Sequence, residues 1–349
     1  MKLSNKPTYK NVHNQFKLNG FHLDKDDLCR VAYSFIKEGE PFEKPVGNFI
    51  LDWFDDATHI KIETSGTTGE PKTITIAKQA MVDSALASGD FFELKPGDKV
   101  LHCLPVKFIA GKMMLVRAFI LGFDLVFVSP NSHPLLNNDI DFDFAAMVPL
   151  QAQNSIAALK YVKKIIIGGA SINDELKRQL LKTPTLVFET YGMTETISHI
   201  AAKKLSEKAF TVLPNIIITV DNRNCLIISA PRIGTQPIKT NDIVTLVNEN
   251  QFIFLGRIDT VINSGGIKLF PEQIEKKIAS KIDSPFFITS KLDKEFGERV
   301  VLVIEGPEKA IDNSIFVDLE KYEVPKEIVF VTQFKLTPTG KIIRKNTFI

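Results

Sequence analysis

The chain has 349 residues, of which 44% are hydrophobic, and 43 basic side chains set against 41 acidic ones leave a net charge of +2. That length can bury a large core and is expected to divide into two domains, while the balanced charge argues against nucleic-acid or membrane partners. Cys29, Cys103 and Cys225 lie far apart in the chain, so neither a disulfide framework nor a metal-spaced pair is expected, and a reducing cytoplasm fits.

The opening segment, MKLSNKPTYKNVHNQF, lacks the apolar run of a signal peptide. Near residue sixty the chain reads HIKIETSGTTGEPKTITIA. His59–Glu63 and Thr73–Ile76 alternate polar with apolar, β-branched residues and are predicted as strands. Pro71 disfavours helical backbone at Glu70, and Lys72 does not follow directly on Gly69. The unit is therefore strand, loop, strand, and a Walker-type NTPase, which needs a helix at the lysine, is disfavoured. Phosphate chemistry survives that exclusion. Thr64, Ser65, Thr67 and Thr68 supply hydroxyls, Gly66 and Gly69 let backbone N–H groups approach an anion, and Lys72 adds a positive charge.

From about residue 75 to 230, helical and strand-like stretches alternate. KQAMVDSALASGDFF reads as helix, KVLHCL as strand, GKMMLVRAFILG as helix and DLVFVS as strand. The apolar run through the last two is broken by Arg117 and Asp124, so it is expected to be buried rather than membrane-spanning. KKIIIGGA reads as a strand into a glycine turn, NDELKRQLLK as helix and TLVFETYG as a strand into a turn. Such alternation predicts a layered α/β domain. FTVLPNIIITVDNRNCLIISA is then β-rich, with turns near residues 221–224. After FIFLGRIDTVINSGG, Pro271 opens a short amphipathic helix, PEQIEKKIA, followed by short strands and a basic tail. The expected fold class is α/β: a large layered domain with a β-rich section over residues 1–258, and a small mobile α+β domain over 259–349.

Four further constellations carry chemistry. Gly168-Gly169-Ala170, directly after an apolar strand, would let a flat ring lie against backbone. Tyr191-Gly192-Met193-Thr194-Glu195 offers an aromatic face, a hydroxyl and a carboxylate; beside a phosphate loop that carboxylate makes sense through Mg²⁺. Asp242, with Arg257 and Asp259, suits vicinal ribose hydroxyls. Pro338-Thr339-Gly340-Lys341 sets a lysine on a tight turn near the C-terminus. Taken singly, each also reads as an ordinary turn or a solvated pair.

Taken in order, TSGTTGEPK, GGA, YGMTE, TND, GRIDTVINSGG with PEQIE, and PTGK resemble the successive core motifs of the adenylate-forming enzymes. Those include acyl-CoA synthetases, luciferases and peptide-synthetase adenylation domains. The resemblance runs from about residue 60 to the C-terminus, and GRIDTVINSGGIKLFPEQIE and LPVKFIAGKMMLVRA are most similar to the bacterial branch that ligates o-succinylbenzoate to coenzyme A. It implies a carboxylic acid, ATP, Mg²⁺ and coenzyme A as substrates and cofactors, with no prosthetic group. A homodimer is left open. The implied roles are as follows: Lys341, Thr194 and Glu195 in catalysis, with Glu195 holding Mg²⁺; Thr64, Ser65, Gly66, Thr67, Thr68, Gly69 and Lys72 on the triphosphate. Gly168, Gly169, Ala170, Tyr191 and Gly192 would flank adenine, and Asp242 and Arg257 would hold ribose. Asp259 would be the hinge, and Ser264, Gly265 and Gly266 would face coenzyme A.

Two departures stand out. Only about 60 residues precede the loop, so part of the N-terminal domain is expected to be reduced. Where LPLFH is frequent this chain has LPVKF, leaving no histidine at a position that often borders the acyl carboxylate. Lys107, Phe108, Arg117 and His199 are therefore the candidates for the acid side, with His199 on the face of Glu195 if that stretch is helical. Lys112, on the same predicted helix as Arg117, is a further basic group. An adenylating enzyme that loads a carrier protein instead of coenzyme A, and a non-catalytic nucleotide sensor, are the alternatives.

Overall fold

A computed structural model describes residues 6–63, 73–135, 140–335 and 342–344. The segment before the glycine loop forms β1 (Lys17–Leu18), β2 (Phe21–His22), α1 (Lys25–Lys37) and α2 (Lys44–Phe54). Helix α1 starts at a reciprocal cap: Asp24 accepts the Asp27 N–H at 2.9 Å while the Asp27 carboxylate faces the Asp24 N–H. β3 (His59–Glu63) and β4 (Thr73–Ala77) then pair antiparallel as a separate two-stranded ribbon, and both are strands expected of this stretch.

The α/β alternation follows: α3 (Lys78–Phe92), β5 (Lys99–His102), α4 (Ile109–Leu121), β6 (Asp124–Phe127), β7 (Phe142–Met147), α5 (Pro149–Asn154), β8 (Val162–Ile167), α6 (Asp174–Leu180) and β9 (Leu186–Gly192). Five of these strands are parallel in the order β6-β5-β7-β8-β9. Side-chain alternation sends Val100, Phe144, Ala146 and Ile166 into a core shared with α1–α4. Leu101, Ala145, Ile165 and Ile167 go into a second core with α5 and α6 on the other face. Helix α4 is apolar nearly all round, as a helix buried on all sides must be, and ends at Gly122 with φ +76°.

Antiparallel strands extend this sheet: β10 (His199–Lys204), β11 (Phe210–Val212), β12 (Ile217–Val220), β13 (Cys225–Ser229), β14 (Ile238–Asn248) and β15 (Gln251–Arg257). The complete order is β12-β13-β14-β15-β11-β10-β9-β8-β7-β5-β6-β1-β2.

After β15 the chain changes sheets. β16 (Ile262–Ser264), β17 (Ile267–Leu269), α7 (Pro271–Ile278), β18 (Phe286–Asp293), β19 (Gly297–Glu305) and β20 (Glu327–Val331) build a separate five-stranded sheet. Helix α7 buries Ile274 and Ile278 on one of its faces. The architecture is thus a large helix-flanked sheet with a β-rich extension and a smaller α+β unit. Among the described residues no helix is long and apolar enough to cross a membrane.

Candidate functional site

In the parallel set β5 comes first in sequence, yet β6 lies on one side of it and β7 on the other. Chain connections therefore leave in opposite directions at β5, and the crevice beyond the carboxyl ends of such strands is where open α/β sheets bind ligands. A cavity of about 230 Å³ lies there. Its walls are Leu104 after β5, Met147 and Val148 at the end of β7, Gly168 and Gly169 after β8, and Thr190, Gly192 and Thr194 along and after β9. Helix α4 closes one side with Ile109, Ala110 and Arg117, and Ser198 and His199 complete it.

Arg117 sets the electrostatics of this cavity. Its side chain is 2% exposed, and among the described residues it has no carboxylate partner. Nη2 donates to Ser198 Oγ at 2.7 Å and to His199 Nδ1 at 3.4 Å, Nη1 approaches the Met114 sulfur at 3.5 Å, and Nε has no partner among the described residues. Burial lowers its pKa to about 10, so at neutral pH a cation is held in an apolar wall. Burial and the neighbouring guanidinium also push His199 well below its ordinary value, so the imidazole is neutral. A buried positive charge without its counter-ion is costly. An anionic group placed in the cavity would offset that cost.

The expected site residues fall into separate groups. Gly168, Gly169, Gly192, Thr194, Arg117 and His199 line the cavity; Ala170 and Glu195 are exposed beside lining residues. Tyr191 points to the opposite face of β9, where its ring packs against Phe252 at 5.2 Å and its hydroxyl donates to Asp242 Oδ2. Burial, then the Asp242 charge, raises the Tyr191 pKa. Asp242 and Arg257 are cross-strand partners on β14 and β15; the guanidinium reaches Asp242 at 3.4 Å and Asp259 at 2.8 Å. Asp259 occupies the single turn joining the two sheets and also accepts from Asn241 at 3.1 Å. Ser264 ends β16, and Gly265 and Gly266, with φ of +58° and +83°, make a two-residue hairpin turn that needs positive φ at both positions.

On the acid side, the arrangement after Glu195 differs from a helix: Thr194–Thr196 is a single 3-10 turn and His199 starts β10. His199 reaches Arg117 through the strand, not through helical spacing. Lys107 is exposed, and neither it nor Phe108 is among the cavity-lining residues. Lys112 donates to the Val106 carbonyl at 2.6 Å and lies over the Phe49 ring, toward α2. Residues 64–72 and Lys341 lie outside the described residues.

The structure adds Thr190, Ile197 and Ser198 to the cavity wall and Ser88 behind His199, at 3.1 Å from its Nε2. Ser88 lies 111 residues from its partner, and no local pattern marks it.

The chain belongs to the AMP-binding enzyme family, whose pattern matches residues 59–228. A solved structure described as an acyl-CoA synthetase (AMP-forming)/AMP-acid ligase II-like protein from Dyadobacter fermentans is 36% identical, with 91% of this chain and 97% of that chain covered and a TM-score of 0.62. The 2-succinylbenzoate–CoA ligase of Haemophilus influenzae is 27% identical over 297 residues, covering 76% of this chain. The indoleacetate–CoA ligase of Aromatoleum aromaticum is 25% identical over 333 residues, covering 80% of this chain. The chain spans 64% of the length of each of these two curated relatives.

Proposed function

We propose that the protein is an ATP-dependent, AMP-forming acid–CoA ligase, with o-succinylbenzoate as its acid. The observation that carries this reading is the buried Arg117 guanidinium, without a carboxylate partner among the described residues, in a cavity at the carboxyl ends of the parallel strands. o-Succinylbenzoate has two carboxylates: one is activated and the other needs a compensating cation. Arg117 supplies that cation, and the neutral His199 and Ser198 support it. The 27% identity with a 2-succinylbenzoate–CoA ligase points to the same acid.

In the first step a carboxylate oxygen attacks the α-phosphorus of ATP, and the bond from that phosphorus to pyrophosphate breaks. Lys341 would bridge carboxylate and α-phosphate, and residues 64–72 would hold the leaving phosphates. The transition state gathers negative charge on oxygen, so positioned cations and donors do most of the work. Glu195, exposed directly after the cavity-lining Thr194, suits Mg²⁺, which is commonly held by one or two carboxylates together with substrate phosphates. When bound, the ion would neutralise phosphate charge.

Gly168, Gly169 and Ala170, with Tyr191, would flank adenine beside the cavity, and Asp242 with Arg257 would hold ribose. In the second step the coenzyme A sulfur attacks the acyl carbon, AMP leaves, and the thiol proton is released. The turn at Ser264, Gly265 and Gly266 would face the thiol after the small unit rotates about Asp259.

Acid-dependent exchange of pyrophosphate into ATP tests this. It is expected with o-succinylbenzoate and much weaker with the analogue lacking the ring carboxylate. Exchange without transfer to coenzyme A would reassign the protein to loading a carrier protein. No exchange with any acid would leave a nucleotide sensor.

A further inference from the structure

Ile197 lines the cavity, is 2% exposed, and has φ +67° and ψ −51°. The Ser198 N–H donates to the Thr196 carbonyl at 2.7 Å. Together these define the positive-φ form of the γ-turn, which is rare and strained, and a β-branched residue there is a backbone outlier. Such a conformation persists only where its surroundings over-determine it.

The surroundings are specific. Thr196 Oγ1 accepts the Met193 N–H at 2.9 Å, and its one proton is shared between the carbonyls of Met193 at 2.9 Å and Ser198 at 2.8 Å. Gly192 on β9 lets the turn come close: a Cβ there would lie 2.5 Å from both the Ser198 carbonyl oxygen and the His199 Cα. The register between β9 and β10 shifts directly after, between His199 and Ala201.

The strained turn sets the direction of the next two side chains. An arginine can only donate, so His199 Nδ1, facing Arg117 Nη2, must be the acceptor and the ring proton sits on Nε2. From there the chain runs to Ser88 Oγ at 3.1 Å and on to the Ser84 carbonyl at 3.0 Å. Every link has one polarity, and the guanidinium is fixed at its end. We propose that the γ-turn at Ile197 is a positioning device: by fixing Ser198 and His199 it presents Arg117 to the cavity in one orientation, which makes the cavity select acids with a second carboxylate. The inference rests on the acid-activating function proposed above.

A suppressor experiment tests it. Thr196→Val removes the hydroxyl that holds the turn, so the strained residue should relax to negative φ. The KM for o-succinylbenzoate is then expected to rise at least tenfold, with that for ATP within twofold. Adding Ile197→Gly removes the penalty for positive φ and is expected to return the acid KM to within threefold of wild type. Ser198→Ala should raise the acid KM similarly and should not be rescued by Ile197→Gly, because the contact itself is gone. Nitrogen-15 imidazole spectra give a readout independent of turnover: a single Nε2–H tautomer of His199 in wild type, mixed tautomers in Thr196→Val, and one tautomer again in the double variant. An unchanged tautomer and acid KM in Thr196→Val, or no rescue by glycine, overturns the proposal. If wild type activates no acid, the functional reading falls, and the tautomer series alone decides whether the turn fixes His199.

Discussion

At the scale of single residues, two buried nitrogen bases make opposite demands. Arg117 keeps its charge inside the protein, so its value lies in what it can pair with. Arg117→Lys keeps the charge but loses the planar guanidinium, whose Nη2 reaches Ser198 and His199 while Nη1 rests on the Met114 sulfur. Removing one charge-assisted hydrogen bond costs about 1.5–3 kcal/mol, so the KM for o-succinylbenzoate should rise by about one to two decades while that for ATP stays near wild type. Lys107→Ala, at an exposed position, should change neither. His102 instead stays neutral: it is fully buried, and burial, outweighing the opposing backbone groups at Gly111 and His102, lowers its pKa to about 4. Between its ordinary value near 6.5 and about 4, the unfolded chain binds a proton that the native state refuses. Stability therefore rises with pH in that window; the contribution is complete above about 6.5 and is lost as pH falls toward 4. His102→Leu should flatten the pH dependence of the unfolding free energy there by nearly one proton, or about 1.4 kcal/mol per pH unit. Urea titrations at pH 7, 6 and 5 measure this.

At the scale of elements, the region before β3 depends on how closely two helices approach. α1 and α2 meet at Gly47, where an added Cβ would lie 2.4 Å from the Ala32 carbonyl oxygen and 2.9 Å from Ile36 Cγ1. In an isolated helix glycine to alanine gains up to about 1 kcal/mol. Here backbone must move, and overpacking of that kind costs about 1–3 kcal/mol. Gly47→Ala is thus expected to be destabilising, the reverse of the propensity effect, with a lower urea midpoint and an unchanged denaturant slope. Trp53 and Phe49 of α2 sit in the same core as Met113, Val116 and Phe119 of α4, and Phe54 packs on Phe119, so α2 backs the helix that carries Arg117. A loosened α1–α2 pair should raise the acid KM of this variant less than Arg117→Lys does.

Over the whole molecule, two sheets meet at one short connection. Asp259 is paired with Arg257 and Asn241 of the large sheet, and α7 is tied back to β15 by Gln273 Nε2 on the Leu255 carbonyl at 3.0 Å. If the small unit rotates between half-reactions, as we propose, Asp259→Pro fixes φ at the pivot. Acyl-AMP should then accumulate while thioester formation falls, as quenched-flow separation of the two products would show. Equal loss of both half-reactions would remove support for rotation. Lys341→Ala should do the converse: adenylation slows by about two to three decades, the usual effect of removing one positioned charge or donor, while a preformed acyl-AMP is still converted to thioester. The pair of variants separates the two steps.

Local interactions determined much of this protein in advance. Alternation and helical periodicity depend on neighbours up to four residues away, so the ribbon around the glycine loop, the α/β alternation and the amphipathic α7 were readable, and the ordered motifs indicated the adenylate-forming class. His199 was harder. Its strand pairs back onto β9, with His199 opposite Gly192, across a strained turn and a register shift that no periodicity in the sequence marks. Arg117 and His199 could be named as basic groups near the acid, but not as neighbours: they are 82 residues apart, on a helix and a strand that only the sheet order brings together. Nor does the sequence announce that Gly192 leaves room for a strained turn, or that Ser88 completes a chain of donors. Those facts depend on the packing of α3, α4 and β10 against one end of β9. That packing is set by tertiary contacts between distant segments, and only the folded molecule decides it.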